Sequence, residues 1–236
     1  MDTPLNIWCA NIGWKWHDNW VLRLKRMCEQ NCSIPFEFYC ISDHDIEGVN
    51  VIPFSREIET TEVHHSITRD SDRMMLNEGK PQGCWAKVDA WLAPLGSYNL
   101  LLDLDICITG DLAQLVSAAP AGARDCRHTD SNPWLNGSVI AWKSTEQTQN
   151  VYPEKIPYRE YPRGEQEYVQ AALGGFIPML DVVSYKCHLS GKNRHKIPDN
   201  IIVVYFHGYP TPAHDELQQY SFVGSTWKGI ERIERV

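Results

Sequence analysis

Two aspartates separated by one residue follow an apolar stretch in the middle of the chain. Asp103 and Asp105 flank Leu104, directly after three consecutive leucines at 100–102. Side chains two positions apart on a strand point to the same face, so the pattern predicts paired carboxylates at the end of a buried strand. Two ionised carboxylates with apolar neighbours repel each other and lose hydration, which a divalent cation would offset. Since all-oxygen ligands favour Mg²⁺ or Mn²⁺, both aspartates are candidate metal ligands.

The Asp-x-Asp pattern alone leaves other interpretations open. The carboxylates could cap turns or bond lysines in a purely structural role. Haloacid-dehalogenase-type phosphatases also place Asp-x-Asp after an apolar strand, with the first Asp as nucleophile and the second as acid/base. Those enzymes usually continue with Gly-Thr near the N-terminus, whereas Ile106 and Cys107 follow here, far along the chain. A nucleotidylyltransferase would share the broad fold, but its Gly-rich phosphate loop is missing after the first predicted strand.

Strands and helices that must position these carboxylates alternate along the sequence. The opening strand–helix–strand pattern favours a sheet of parallel strands. Because no Ser/Gly/Pro-rich linker divides the chain, we expect an α/β fold in a single domain. Apolar runs predict strands at residues 5–10, 36–41, 49–52, 98–104, 123–127, 138–142 and 201–207. Helical spacing predicts helices at residues 18–28, with Asp18 as the N-cap, at 84–92 and at 165–173.

Composition and charge narrow the classes of partner. The 236 residues carry 22 Lys+Arg against 30 Asp+Glu, a net charge of −8, which argues against nucleic acid as a partner because a broad basic face is its usual footprint. No apolar run approaches the roughly 20 residues that a transmembrane helix needs. The N-terminus has no secretory-signal pattern, and the eight cysteines are scattered. We therefore expect reduced thiols and a cytoplasmic protein with no transmembrane segment.

Five sequence motifs follow one another along the chain: WAKVD at residues 85–89, LLDLDI at 101–106 with GDL at 110–112, LNGSVIAW at 135–142, GEQE at 164–167 and VYFHGYPTP at 204–212. Together, with LLDLDI and GDL as the Asp-x-Asp motif, they resemble those of GT-A-fold glycosyltransferases, of the glycogenin and bacterial lipopolysaccharide galactosyltransferase type and of small uncharacterised bacterial or phage relatives. The last motif differs from its counterpart because Thr211 stands where that group usually carries a lysine that contacts the diphosphate.

What the resemblance implies is a GT-A-like (Rossmann-like) mixed, mostly parallel sheet flanked by helices. Residues 1–236 would form one nucleotide-diphospho-sugar transferase domain, with 1–105 as the nucleotide-binding half and 106–236 as the half that holds the acceptor and completes the metal site. The implied enzyme is a metal-dependent hexosyltransferase-like glycosyltransferase that uses Mn²⁺ or Mg²⁺ and a nucleotide-diphosphate sugar, with a UDP-sugar expected. The acceptor, a saccharide or a glycolipid, is left open, and a degenerate relative that only binds sugar or nucleotide is the alternative.

Site residues follow from the resemblance position by position. The implied metal ligands are Asp103, Asp105 and His207. The implied acceptor-side and catalytic residues are Gln166, Glu165 and Glu167. The implied donor-binding residues are Ala10, Asn11, Ser42, Asp43, Lys87, Asn136 and Gly208, with Lys186 as a substitute for the lysine that Thr211 replaces.

Overall fold

The computed structural model describes residues 4–13, 16–54, 83–125, 134–157, 160–161, 164–189, 197–206, 211–213, 217 and 220–227. Strands within these ranges are β1 (Leu5–Asn11), β2 (Phe36–Ser42), β3 (Asn50–Pro53), β4 (Tyr98–Leu102), β5 (Ile106–Ile108), β6 (Ala121–Arg124), β7 (Leu135–Lys143), β8 (Ile177–Met179), β9 (Val182–Ser184) and β10 (Val203–Tyr205). The α-helices there are α1 (Asp18–Asn31), α2 (Glu146–Gln149), α3 (Glu165–Leu173) and α4 (Ser221–Trp227). Shorter helical segments are the 3-10 helices Gly83–Leu92 and Leu112–Leu115 and a π-helical turn at Tyr185–Leu189.

The main sheet of the described residues has seven strands in the order β3-β2-β1-β4-β7-β6-β8. Strands β2 and β4 both run parallel to their neighbour β1, and β3 runs parallel to β2. Strand β7 is antiparallel to β4 and β6. The predicted fold class, an α/β protein with a mixed, mostly parallel sheet flanked by helices, is therefore confirmed.

The chain leaves the main sheet at the two aspartates. Strand β4 ends at Leu102, and β5 belongs to a second sheet of the described residues, in the order β5-β10-β9. The predicted strand end at residue 104 is wrong because β4 ends at Leu102 and a bend follows at residues 104–105, although Asp103 N still donates to Ser138 O of the neighbouring β7 (2.9 Å). Leu104, 3% exposed, packs in the same core cluster as Leu100 and Leu102. Asp105 O accepts from Phe206 N (3.1 Å), next to β10. Asp103 and Asp105 thus lie in a turn between two sheets, and the premise of one extended strand does not hold.

Apolar side chains cover both faces of the main sheet. The buried stripe of α1, which includes Trp20 and Leu24, packs in one cluster with Leu100 and Leu102 of β4. Leu101 points to the opposite face, into a second cluster with the buried side of the 3-10 helix Gly83–Leu92. The alternation of side chains along β4 therefore decides which residues face α1 and which face the 3-10 helix.

A neutral polar cluster lies at the amino-terminal end of β4. The Asn99 Oδ1 accepts from Asn6 Nδ2 and from Trp8 Nε1, both at 3.1 Å. Its Nδ2 donates to Ser97 O and to Ser144 Oγ, also at 3.1 Å. All five side chains of this Asn99 network are buried. Each hydrogen bond offsets the loss of water by a buried polar group.

Several element boundaries depart from the sequence predictions. Helix α1 is capped by His17, whose Nδ1 accepts from Asn19 N (3.3 Å), so Asp18 is its first residue and not the cap. The last predicted strand shortens to β10. Helix α3 has the predicted bounds and ends at Gly174, in the left-handed conformation at φ 67° that suits glycine.

The cysteines differ in their bonding state. Cys187 is disulfide-bonded, so the expectation of reduced thiols is wrong for this residue. The thiols of Cys9, Cys28, Cys32, Cys40, Cys84 and Cys107 are unbridged. Across the described ranges, none of the helices combines the length and the apolar character needed to cross a bilayer.

Candidate active site

The carboxyl ends of β1, β2 and β4 meet at one edge of the main sheet. Because β1 pairs in parallel with both β2 and β4, Asn11, Ser42 and Asp103 mark the same edge. After β1 the chain adds β2 and β3 on one side and then returns to place β4 on the other side. Ligands of open α/β sheets bind outside the carboxyl ends of strands at such a reversal.

Three charged side chains meet where β4 ends. The Lys87 ammonium contacts Asp103 Oδ1 and lies 3.0 Å from Glu165 Oε1. The side chains of Lys87 and Glu165 are 12% and 7% exposed, and that of Asp103 is 23% exposed. Lys87 Nζ also donates to Gly137 O at 3.2 Å. One lysine against two carboxylates leaves a net negative charge in this Lys87 triad of Lys87, Asp103 and Glu165.

The electrostatic environment keeps Lys87 charged. Burial opposes the charge, but the carboxylates of Asp103 and Glu165 outweigh burial and raise the pKa of the lysine above its ordinary value. Burial, followed by the charge of Glu165, raises the pKa of the neighbouring Cys84 thiol. Cys84 is therefore a neutral hydrogen-bonding partner of Glu165.

Close packing of β7 against the start of α3 makes the triad possible. A Cβ added at Gly137 would lie 2.9 Å from Glu165 Oε1 and 3.3 Å from Gln166 Cβ. Gly137 N donates to Gln166 Oε1 at 3.3 Å. On the other side, a Cβ at Gly164 would lie 3.3 Å from Cys84 Sγ, and this glycine has φ 96°. The two glycines thus allow Glu165 to approach Lys87.

A second polar cluster lies at the ends of β1 and β2. His44 Nε2 lies 2.8 Å from Asp18 Oδ1, and its Nδ1 lies 2.9 Å from Asp43 Oδ1. Asp43 Oδ2 also accepts from Gly13 N (3.1 Å), which ties the two strand ends together. Hydrogen bonds to Asp18 and then to Asp43 raise the pKa of His44.

Asn11 stands out among the predicted base- and ribose-binding residues. It is fully buried and donates from Nδ2 to Asp18 Oδ1 (3.2 Å), but within the described part of the chain nothing donates to its Oδ1. Ser42 is buried and accepts from His44 N (3.2 Å), while Ala10 is half-buried. The unpaired oxygen of Asn11 marks a hydrogen-bonding position at this edge of the sheet.

A divalent metal fits the donor set of Asp103 and Asp105. Both carboxylates are half-buried, and they flank the buried Leu104 in the turn after β4. Carboxylate oxygens are the ligand type that Mn²⁺ and Mg²⁺ prefer. No group of three or more His, Cys, Asp or Glu side chains within the described residues is arranged to hold a metal ion. The predicted third ligand, His207, and the donor-site Gly208 lie outside those residues.

The remaining predicted residues fall into different environments. Asn136 is buried, and its Oδ1 accepts from Ser138 N at 2.9 Å, so that oxygen is already used within β7. Glu167 is half-buried in the first turn of α3. Lys186 is exposed on the π-helical turn after β9, and Thr211 is half-buried. The roles of these residues stay predictions.

One motif segment has a structural role. Asp111 Oδ1 accepts from Ser33 N (2.9 Å) and from Ala113 N (3.0 Å), and its Oδ2 accepts from Ser33 Oγ. Asp111 thus caps the 3-10 helix Leu112–Leu115 and fastens it to the chain between α1 and β2.

Sequence reasoning treated Lys87 and Glu165 as separate contacts and missed their pairing, which joins positions 78 residues apart. It also missed Cys84 and the packing role of Gly137. A signal existed for the glycine, because an isolated glycine in a strand often marks a close approach of another segment.

Comparison with known proteins supports the fold. No protein-family model and no curated protein matches the chain. Among solved structures, the galactosyltransferase LgtC in complex with donor and acceptor sugar analogs matches with a TM-score of 0.64 and 11% identity, over 97% of each chain. The bifunctional glycosyltransferase WbbM in its apo form matches with a TM-score of 0.59 and 7% identity, over 97% of this chain and 50% of that chain. The apo form of the glycosyltransferase GlyE of Streptococcus pneumoniae TIGR4 matches with a TM-score of 0.58 and 14% identity, over 96% of this chain and 62% of that chain. With the mostly parallel sheet and the acidic end of β4, these similarities show that the chain has the fold of the GT-A glycosyltransferases.

Proposed function

We propose that this protein is a metal-dependent glycosyltransferase. It would move a sugar from a nucleotide-diphosphate donor, expected to be a UDP-sugar, to an acceptor hydroxyl. The observation that carries the proposal is the Lys87 triad at the end of β4, at the reversal of strand order in a glycosyltransferase fold. LgtC, which shares the fold over 97% of its length, is a galactosyltransferase bound to donor and acceptor sugar analogs.

The chemistry requires a site that accepts negative charge. Breaking the bond between the anomeric carbon and the diphosphate leaves charge on the leaving group, and a bound Mn²⁺ or Mg²⁺ would neutralise it as a Lewis acid. Asp103 and Asp105, with His207, would hold that ion. Lys87 adds a fixed positive charge to the same site and would lose little energy to reorientation because its contacts are already made.

We assign donor recognition to the carboxyl ends of β1 and β2. Because Asn11 is fully buried, a local movement would have to uncover its unpaired Oδ1 before it accepts a hydrogen bond from the base. Asp43 would contact the ribose after giving up a contact with Gly13 N or His44. Gln166, half-buried beside the triad, would bond a sugar hydroxyl through its amide nitrogen, since its oxygen accepts from Gly137 N.

The acceptor side involves the first turn of α3. Glu165 is already used by Lys87, so we propose it as a positioning residue and not as the base. Glu167 is the remaining carboxylate there that could orient an acceptor hydroxyl. The acceptor would be a saccharide or a glycolipid.

A donor screen tests the proposal. Purified protein is incubated with UDP, GDP, ADP and CMP, each with Mn²⁺ or with EDTA, and binding is followed by calorimetry. We expect UDP to bind with Mn²⁺ and to bind at least about tenfold more weakly in EDTA. Hydrolysis of UDP-sugars with Mn²⁺ then measures turnover.

Each other outcome of the screen identifies an alternative. Metal-dependent UDP binding without hydrolysis or transfer would support a degenerate binding protein. Phosphatase activity that is lost in Asp103→Asn, while Mn²⁺ still binds, would support the dehalogenase-type reaction. Equal UDP affinity in Mn²⁺ and EDTA would contradict metal dependence.

A further inference from the structure

The Lys87 ammonium uses its full hydrogen-bonding capacity at one candidate metal ligand and two neighbours. An ammonium group has three N–H donors. Three acceptors surround Lys87 Nζ: Asp103 Oδ1, Glu165 Oε1 at 3.0 Å and Gly137 O at 3.2 Å. The cation is therefore held in one place, against the carboxylate that a metal would share.

We infer that Lys87 is a built-in counter-ion that competes with the divalent metal for Asp103, and that Glu165 tunes this competition by sharing the lysine. The inference rests on the proposed function, since it concerns the affinity of the same metal site. Glu165 is then a positioning residue that acts through Lys87.

Electrostatics supports this division of roles. Without Lys87, the nearly buried Glu165 and the partly buried Asp103 would lose their shared positive partner, a costly arrangement for carboxylates away from water. Lys87 thus stabilises the metal-empty site, yet its charge repels an ion that approaches Asp103. Glu165 draws part of that charge toward itself, which leaves Asp103 more able to bind metal.

The two partners therefore have opposite predicted effects on metal affinity. Lys87→Met removes the competing charge, and we expect Mn²⁺ to bind at least about tenfold more tightly. Glu165→Gln removes one of the two carboxylates that share Lys87, so the lysine pairs more strongly with Asp103. We therefore expect Mn²⁺ to bind about three- to tenfold more weakly. In the Lys87→Met background, Glu165→Gln should change the affinity by less than about twofold, because the residue through which it acts is gone.

Manganese titration without nucleotide provides the test. Unbound Mn²⁺ is measured by electron paramagnetic resonance for the wild-type protein, both single variants and the double variant. Lys143→Met is the matched control: Lys143 pairs with Tyr98 at the opposite end of β4, with its Nζ 5.3 Å from the tyrosine ring centre. That variant should bind Mn²⁺ as the wild type does. Thermal melts in EDTA verify that each variant is folded.

The outcomes separate the inference from the proposed function. Opposite shifts with a non-additive double variant support the counter-ion role. Weaker binding in both single variants would show that Lys87 and Glu165 only build the site, and additive shifts would show that Glu165 acts on the metal directly. Either result overturns the inference but leaves the proposed function standing. A wild-type protein that binds no Mn²⁺, alone or with UDP, would overturn both. If Lys87→Met does not fold, unchanged or tighter Mn²⁺ binding in Glu165→Gln still contradicts the inference.

Discussion

Strand β4 carries a neutral polar network at its amino-terminal end and a charged triad just beyond its carboxyl end. In the Asn99 network, carboxamide, indole and hydroxyl groups satisfy one another at 3.1 Å, and the four hydrogen bonds involve no net charge. In the Lys87 triad, one ammonium serves two carboxylates, and a net negative charge is left. The Asn99 network is buried and the Lys87 triad is buried or partly buried, so burial alone does not separate them.

The two clusters differ in whether their hydrogen bonds and charges are balanced within the protein. A fully satisfied neutral network fixes the relative position of strands and needs nothing from outside. Under the proposed function, a bound cation would balance the excess negative charge next to Asp105 at the carboxyl edge of the sheet. We therefore expect substitutions in the Asn99 network to change stability, and substitutions at the acidic end of β4 to change activity.

The largest expected effect is on activity, at the acidic end. Asp105→Ala removes one of two carboxylates from the metal site, and we expect the rate of sugar transfer or UDP-sugar hydrolysis to fall at least about 100-fold, equivalent to about 3 kcal/mol of transition-state stabilisation. Activity is measured with Mn²⁺ at saturating UDP-sugar. The exposed Asp199→Asn is the control and should keep wild-type rates. A folded Asp105→Ala protein with more than half of the wild-type rate would contradict the expectation that the acidic end of β4 serves activity.

The second expected effect is on stability, at the neutral end. Asn99→Leu leaves Asn6 Nδ2 and Trp8 Nε1 without their buried acceptor, and we expect the free energy of unfolding to fall by about 2–4 kcal/mol. Urea unfolding measures the change, and Asn50→Leu on the exposed edge strand β3 should change it by less than about 0.5 kcal/mol. Activity per folded molecule should stay at the wild-type level. A large loss of activity in folded Asn99→Leu protein would show that the neutral network also serves catalysis.

A third substitution acts on the packing that assembles the triad. Gly137→Ala places a methyl group 2.9 Å from Glu165 Oε1 and 3.3 Å from Gln166 Cβ, so the Glu165 carboxylate must move from its place beside Lys87 and the start of α3 must shift slightly. We expect donor affinity to fall about tenfold and the free energy of unfolding to fall by about 1–2 kcal/mol. Calorimetry with UDP and urea unfolding measure the two changes. Gly110→Ala creates crowding 3.2 Å from Ile202 Cα, outside the triad, and should lower stability without weakening UDP binding. Equal losses of UDP affinity in the two variants would assign the effect to general destabilisation.

The smallest expected effect concerns Asp111, which lies in the motif but outside the triad. Hydrogen bonds from Ser33 and then Ala113 hold the pKa of Asp111 below its ordinary value. A lowered folded-state pKa stabilises the protein above the unfolded pKa, and that stabilisation is lost as the pH falls through the folded value. Asp111→Asn should therefore be less stable than the wild type at pH 7, with the difference shrinking below about pH 4. A difference that grows with acidity would contradict this role.

Local sequence patterns predicted much of the fold and part of the site. The apolar runs of β1 and β2 and the helical spacing of α3 identified those elements because burial periodicity is local. The end of the predicted strand at residues 98–104 was wrong, since after Leu102 the chain passes into a second sheet, where Asp105 O accepts from Phe206 N, a residue distant in sequence.

The pairing of Lys87 with Glu165 could not be predicted from either segment alone. It depends on the close approach of β7 and α3, which two glycines at positions 137 and 164 permit. The structural alternative for Asp-x-Asp, bonding to a lysine, is also present at Asp103. A carboxylate that pairs with lysine can still ligate a metal, so the two interpretations are compatible.

Anomalous diffraction at the manganese absorption edge, from crystals grown with Mn²⁺ and UDP, tests the central claim most directly. The account predicts a manganese peak within roughly 2.3 Å of carboxylate oxygens of both Asp103 and Asp105, beside the UDP diphosphate and with Lys87 still near Asp103. UDP bound at this edge of the sheet with no manganese peak, or a peak whose protein ligands exclude both aspartates, would contradict it.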